Sequence, residues 1–157
     1  MGRAIGIGAI KYADLSNDLS KDYVFDLDKM ISFEGDTGPY LQYAHARMSG
    51  ILRKSKYKEK DLKKSKILLT TSEEIFLTKK ILEYNSVLKL ASEKNTPHKI
   101  ATWLKELCNV FSSFYQNCPV LDSEKTIKLS RLRLCNITKK CLADGLLLLG
   151  IEPLEKM

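Results

Sequence analysis

The run Phe33-Glu34-Gly35-Asp36-Thr37-Gly38-Pro39-Tyr40-Leu41-Gln42-Tyr43-Ala44-His45-Ala46-Arg47 decides how the rest of the chain is read. It is a turn that launches a helix. Asp36 or Thr37 can cap the first free backbone N–H groups, and Pro39 falls in the first turn, where its missing N–H costs nothing. Beyond the cap, Leu41, Ala44, Met48 and Leu52 recur at helical spacing and form an apolar stripe. Successive residues advance by about 100°, so Tyr40, Tyr43 and Arg47 fall within an arc of about 60° beside that stripe. Two tyrosines and an arginine there can stack on unpaired bases and hold a phosphate. The plainer reading is a helix that buries its tyrosine rings and leaves the hydroxyls and Arg47 in water.

Outward from this run the pattern stays helical. Residues 4–16 put Ile5, Ala9, Tyr12 and Ala13 on one face, and the polar turn 16–21 leads to Tyr23-Val24-Phe25, which has the content of a short strand. The first long helix is expected over 39–54. Thr71-Ser72-Glu73-Glu74 is a capping box, and behind it Leu77, Ile81, Tyr84, Leu88 and Ala91 step by 4, 3, 4 and 3. Thr96-Pro97 opens a third helix that buries Ile100, Leu104, Leu107, Phe111, Phe114 and Cys118, and Pro119 stops it. Asp122 or Ser123 caps a fourth, with Ile127, Leu134, Thr138, Cys141, Gly145 and Leu149 among its inward residues. Gly150 and Pro153 end that helix, and residues 151–157 should pack across the bundle end. Four amphipathic helices must bury their stripes on one another. The expected fold is all-α, a helical bundle over 34–157, with a small mixed α/β appendage over 1–33.

Composition limits the function. The 157 residues are 44% hydrophobic and 29% charged, as in an ordinary globular protein. No apolar run approaches the roughly 20 residues that span a bilayer. Residues 1–6 lack the apolar region of a signal peptide, so a cytoplasmic protein with no membrane partner is expected. Cys108, Cys118, Cys135 and Cys141 include no C-x-x-C pair, and His45 and His98 lie apart from them, so the thiols read as reduced and buried and no metal site is expected. The net charge is +7, and residues 53–66 hold eight Lys or Arg against Glu59 and Asp61. Such a run can draw a phosphate backbone by counterion release or simply be a solvated connection.

Catalytic motifs are missing. Gly6-Ile7-Gly8 has no Gly-Lys-Ser/Thr behind it and lies within a helical stretch. The acidic pairs Asp26 with Asp28 and Glu73 with Glu74 belong to a turn and a helix start, where carboxylates are common. No catalytic residue is assigned.

The opening run resembles the start of the anticodon-binding domain in arginyl-tRNA synthetases, a class I family with a Glu-Gly-x-Thr-x-Pro-Tyr-x-Gln-Tyr-Ala-x-x-Arg pattern there. Residues 5–14, Asp22-Tyr23-Val24-Phe25-Asp26, Thr96-Pro97-His98, Phe114-Tyr115-Gln116-Asn117-Cys118-Pro119 and the terminal 149–157 continue the resemblance in the family's order. The resemblance implies the C-terminal part of such an enzyme, natural end included, with residues 1–33 as the end of the catalytic region and 34–157 as a DALR-type anticodon-binding domain. Lys29-Met30-Ile31-Ser32 looks like the family's Lys-Met-Ser-Lys-Ser loop but by the resemblance lies after it, and no His-x-Gly-His occurs. The implied parent joins arginine to its tRNA with ATP and Mg²⁺, while this segment would carry no cofactor and should be inactive alone. The implied partners are the anticodon loop of the arginine tRNA, whose middle cytosine the family reads, and the parent's catalytic domain, with no DNA. The resemblance places Tyr40, Tyr43, Arg47, Tyr115 and Met157 at the anticodon loop. Gln42 and His45 are expected to pack, and His98 to begin a helix. A non-catalytic helical module that docks on a protein is the alternative.

Overall fold

A computed structural model describes residues 1–157 as eight helices and no strand. They are α1 (Gly2–Leu15), α2 (Leu27–Met30), α3 (Gly38–Ser55), α4 (Glu59–Lys64), α5 (Ser72–Leu82), α6 (Tyr84–Lys94), α7 (His98–Asn117) and α8 (Lys125–Leu148). The bundle is all-α as expected. One core runs through it, from Tyr12 of α1 through Leu41, Met48, Leu77, Leu104, Phe114, Leu134 and Leu146, all at most 1% exposed.

The launch of α3 follows its sequence. Thr37 is extended and its Oγ1 accepts the Tyr40 N–H at 3.1 Å, with Pro39 in the first turn. Asp36 is instead held across the bundle: its carboxylate accepts the Tyr12 hydroxyl at 2.6 Å and pairs with Lys105 at 2.7 Å. Gly38 lets α1 and α3 touch, because a Cβ there would sit 2.4 Å from the Gly8 carbonyl oxygen. Gly8 therefore serves helix contact and not a phosphate.

Four expectations change. Residues 23–25 form no strand and Val24 is 87% exposed, so the appendage before residue 34 is helical and irregular, not mixed α/β. A strand needs a partner ladder, and no second strand exists. The lysine run is not a bare loop: α4 forms within it, anchored by buried Leu62, with Asp61 accepting the Lys58 N–H at 3.1 Å. The single helix expected after Thr71 breaks at Glu83, where Trp103 Nε1 donates to the Lys80 carbonyl at 3.1 Å, the group that a continuous helix offers to the residue 84 N–H. The expected side-chain caps of α7 and α8 are absent. The Thr96 hydroxyl accepts no N–H, and Ser123 bonds Pro119 O while accepting from Arg131 at 3.0 Å.

The Thr71 capping box does form, and Glu74 goes further. Its carboxylate accepts the Thr70 and Thr71 N–H groups and the Arg131 Nε–H at 2.7 Å, with both side chains buried. Arg131 also donates to Pro119 O at 2.8 Å, which ties α8 to the connection after α7. Burial alone raises the Glu74 carboxyl, but Arg131 and the threonine donors outweigh it and hold the group below its ordinary value.

Candidate nucleic-acid interface

Three elements meet at the side of α3 that carries Tyr43 and Arg47: α3 itself, the end of α7, and the C-terminal tail. The tail is held by polar anchors on α3. Gln42 is fully buried and its Nε2 donates to Ala4 O and Glu152 O. His45 is buried with Nδ1 2.8 Å from Leu154 O; a carbonyl only accepts, so Nδ1 carries the proton. Burial holds the His45 ring below its ordinary pKa. Arg53 donates to Glu155 O at 2.8 Å, and Ile151 and Leu154 are buried. Gln42 and His45 therefore pack, as expected. The tail ends with Met157 beside Tyr43.

Tyr43 and Met157 form a ridge between two depressions. One, about 370 Å³, is lined by Ala46, Arg47, Arg53 and Lys156 together with the ridge. The other, about 530 Å³, is apolar, with Ile5 and Phe33 facing the ridge. Tyr43 is 45% and Met157 38% exposed, so both present usable surface. Arg47 reaches the end of α7, where its Cζ lies 4.7 Å from the centroid of the Tyr115 ring. That ring stacks in turn on Phe111 at 6.2 Å and 18°. The tier is therefore guanidinium, tyrosine, phenylalanine, running from exposed Arg47 through half-buried Tyr115 to buried Phe111.

The structure brings Tyr43, Arg47, Tyr115 and Met157 together. Tyr40 lies on the same side of α3 but is half-buried against the core and lines neither depression. His98 begins α7 with Nε2 3.9 Å from Asp18. Phe33, Arg53 and Lys156 also border the site and were not singled out from sequence. Phe33 was visible as an exposed aromatic beside the Gly35 turn, whereas Arg53 and Lys156 meet only through the tail. Asp26 caps α2, so Lys29-Met30-Ile31-Ser32 is a one-turn helix and its end, with Met30 buried. Burial pushes the Cys108 and Cys135 thiols up to about 12, which leaves them inert.

The fold and this surface define a helical recognition module in which stacking planes and cations stand side by side. Residues 41–157 match the family described as DALR anticodon binding domain, and the chain belongs to that family. It is 46% identical over 155 residues to the arginine–tRNA ligase of Pasteurella multocida, covering 98% of this chain and 28% of the relative. It is 41% identical to that of Escherichia fergusonii, covering 100% and 27%. Among solved structures it resembles the Thermus thermophilus arginyl-tRNA synthetase with a TM-score of 0.88 and 34% identity, covering 99% of this chain and 27% of that one. The Plasmodium falciparum arginyl-tRNA synthetase gives 0.88 and 35%, with 98% and 27%. The chain thus spans little more than a quarter of the relatives it matches.

Proposed function

We propose that this chain recognises the anticodon arm of the arginine tRNA as the C-terminal region of an arginine–tRNA ligase. The observation that carries the reading is the Arg47–Tyr115–Phe111 tier beside the Tyr43–Met157 ridge, on a chain of the DALR family. Unstacked loop bases would stack on the Arg47 guanidinium plane and on Tyr43, with Met157 supplying apolar contact and Tyr40 and Tyr115 supporting the planes from behind. Arg53 and Lys156 would neutralise phosphates. The chain supplies no catalytic group in this reading; the parent would bring ATP, Mg²⁺ and the joining of arginine to tRNA, in the cytoplasm. No helix is long and apolar enough to cross a membrane.

Residues 1–33 would be the end of the parent's catalytic region. Ten of the chain's twenty exposed large hydrophobic side chains lie there, among them Leu19, Val24, Phe25 and Leu27, which suits a face that another domain covers. The deciding experiment titrates the chain with the anticodon stem-loop of the arginine tRNA across a salt series, beside a loop whose middle cytosine is replaced. Preference for the native loop supports the reading. Equal and steeply salt-dependent binding reduces the function to charge, and no binding points to a protein-docking module.

A further inference from the structure

A second cationic feature lies on α3, one stretch beyond Arg47. Lys54 is seven residues on from Arg47, which places it about 10 Å along the axis and within about 20° of the same face. There Lys54, Lys56 and Tyr57 meet Leu121 and Lys128 around a recess of about 330 Å³. Lys56 follows α3 in a left-handed conformation, φ 60°, which turns the chain so that Tyr57 packs against the core. Lys128 comes from the first turns of α8, and Leu121 from the connection that leaves α7 just after Tyr115.

Lys54 alone would read as the usual complement to the carbonyl end of a helix. Lys56 lies past that end and Lys128 belongs to another helix, so the dipole does not explain the three together. Nor do they have acidic partners. Lys63 and Lys140 share Glu59, drawn down to about 2 by their contacts, and Lys139 is on Glu155, whereas no carboxylate lies within ion-pair distance of Lys54, Lys56 or Lys128. Three uncompensated ammonium groups around a concave site with an aromatic wall suit a phosphodiester, with the adjoining ribose or base against Tyr57.

We propose that Lys54, Lys56, Lys128 and Tyr57 form a subsite for a backbone phosphate of the RNA strand that continues along α3 from the Arg47–Tyr115 tier. This rests on the RNA reading above. It also divides the basic run: Lys54 and Lys56 act at a defined place, and Lys60, Lys64 and Lys66 contribute only diffuse charge. The test compares the wild-type chain with two triple variants of equal charge change, Lys54→Ala/Lys56→Ala/Lys128→Ala and Lys60→Ala/Lys64→Ala/Lys66→Ala. Each is titrated with the arginine anticodon stem-loop over a salt series.

The recess variant should lower the slope of log Kd against log salt by about 1 and weaken binding about tenfold near 0.1 M salt. Its preference for the native over the cytosine-replaced loop should be unchanged, because phosphate contacts carry no base information. The control variant should move the slope less than half as far. Single uncharged methylphosphonate linkages should then weaken wild-type binding most at one position and leave the recess variant indifferent there. Equal slopes for the two variants, or no position-specific linkage, overturn the subsite while the RNA reading stands. Failure of the wild-type chain to bind the stem-loop removes both.

Discussion

The guanidinium carbon of Arg47 lies 4.7 Å from the ring centroid of Tyr115, though the two residues are 68 positions apart and on different helices. The arginine sits over the ring yet stays exposed, so a base that stacks there would meet a guanidinium already held by an aromatic face. Arg47→Ala should cost about 1–3 kcal/mol of stem-loop affinity, the range for a lost base stack. Tyr115→Ala should cost a similar amount by freeing the guanidinium. If the tier acts as a unit, the double variant loses less than the sum, with a coupling of about 0.5–1 kcal/mol in a double-mutant cycle. Additive losses show that the two residues bind separately.

The tail gives a pH signature. His45 is buried with its ring nitrogen on Leu154 O, and its pKa in the folded chain lies below the ordinary value. The unfolded ring titrates near about 6.5. Above that pH both states are neutral and the stability is fully present. As pH falls below it the unfolded state takes up the proton first, so stability drops until the folded ring titrates in turn. Chemical denaturation between about pH 7.5 and 5 should show this decline, and His45→Gln should flatten it. RNA binding should weaken with the same pH dependence if the tail is what presents Met157.

What could be read from sequence was local. The Thr37 cap, the Pro39 first turn and the Thr71–Glu74 box each close within three or four residues, so their chemistry is visible in a short window. The break at Glu83 was not, because it depends on Trp103 reaching a carbonyl 23 residues back. Tyr23-Val24-Phe25 has strand composition, but composition does not supply the neighbouring strand. The Ser123 cap expected for α8 failed because Arg131, in the second turn, draws Ser123 and Pro119 O to itself. The site divides the same way. The shared side of Tyr40, Tyr43 and Arg47 follows from helical spacing, whereas the meeting of Arg47 with Tyr115, and of Met157 with Tyr43, needs the bundle. Family resemblance named those residues; spacing could not.

Gly38 tests the seam on which the site's helix sits. A methyl group at residue 38 would meet the Gly8 carbonyl oxygen at 2.4 Å and the Tyr12 Cβ at 3.0 Å, and neither is the flexible end of a side chain. Gly38→Ala should therefore cost about 1–3 kcal/mol, as overpacking does, even though alanine favours helix. Gly50→Ala, whose only near neighbour is the Arg53 guanidinium at 3.8 Å, should be neutral or mildly stabilising. Thermal melts that rank the two the other way would mean that α1 and α3 separate easily.

Glu74 and Arg131 join α5 to α8. Glu74 is 0% and Arg131 7% exposed, and Arg131 Nη1 also donates to Pro119 O and Ser123 Oγ. Removing one partner leaves the other charge buried and alone, so Glu74→Gln or Arg131→Met should each destabilise by about 3–5 kcal/mol. Replacing both should cost less than the two losses added, although the Thr70 and Thr71 N–H groups then lose their acceptor and some cost persists. Because the folded carboxyl is held below its ordinary value, its contribution is present above the unfolded pKa of about 4.3 and fades as pH falls through the folded one. Arg131 also anchors the connection that follows Tyr115, so Arg131→Met should loosen the α7 end. A protein that keeps wild-type stem-loop affinity at a temperature where Arg131→Met is still folded would show that Tyr115 needs no such anchor.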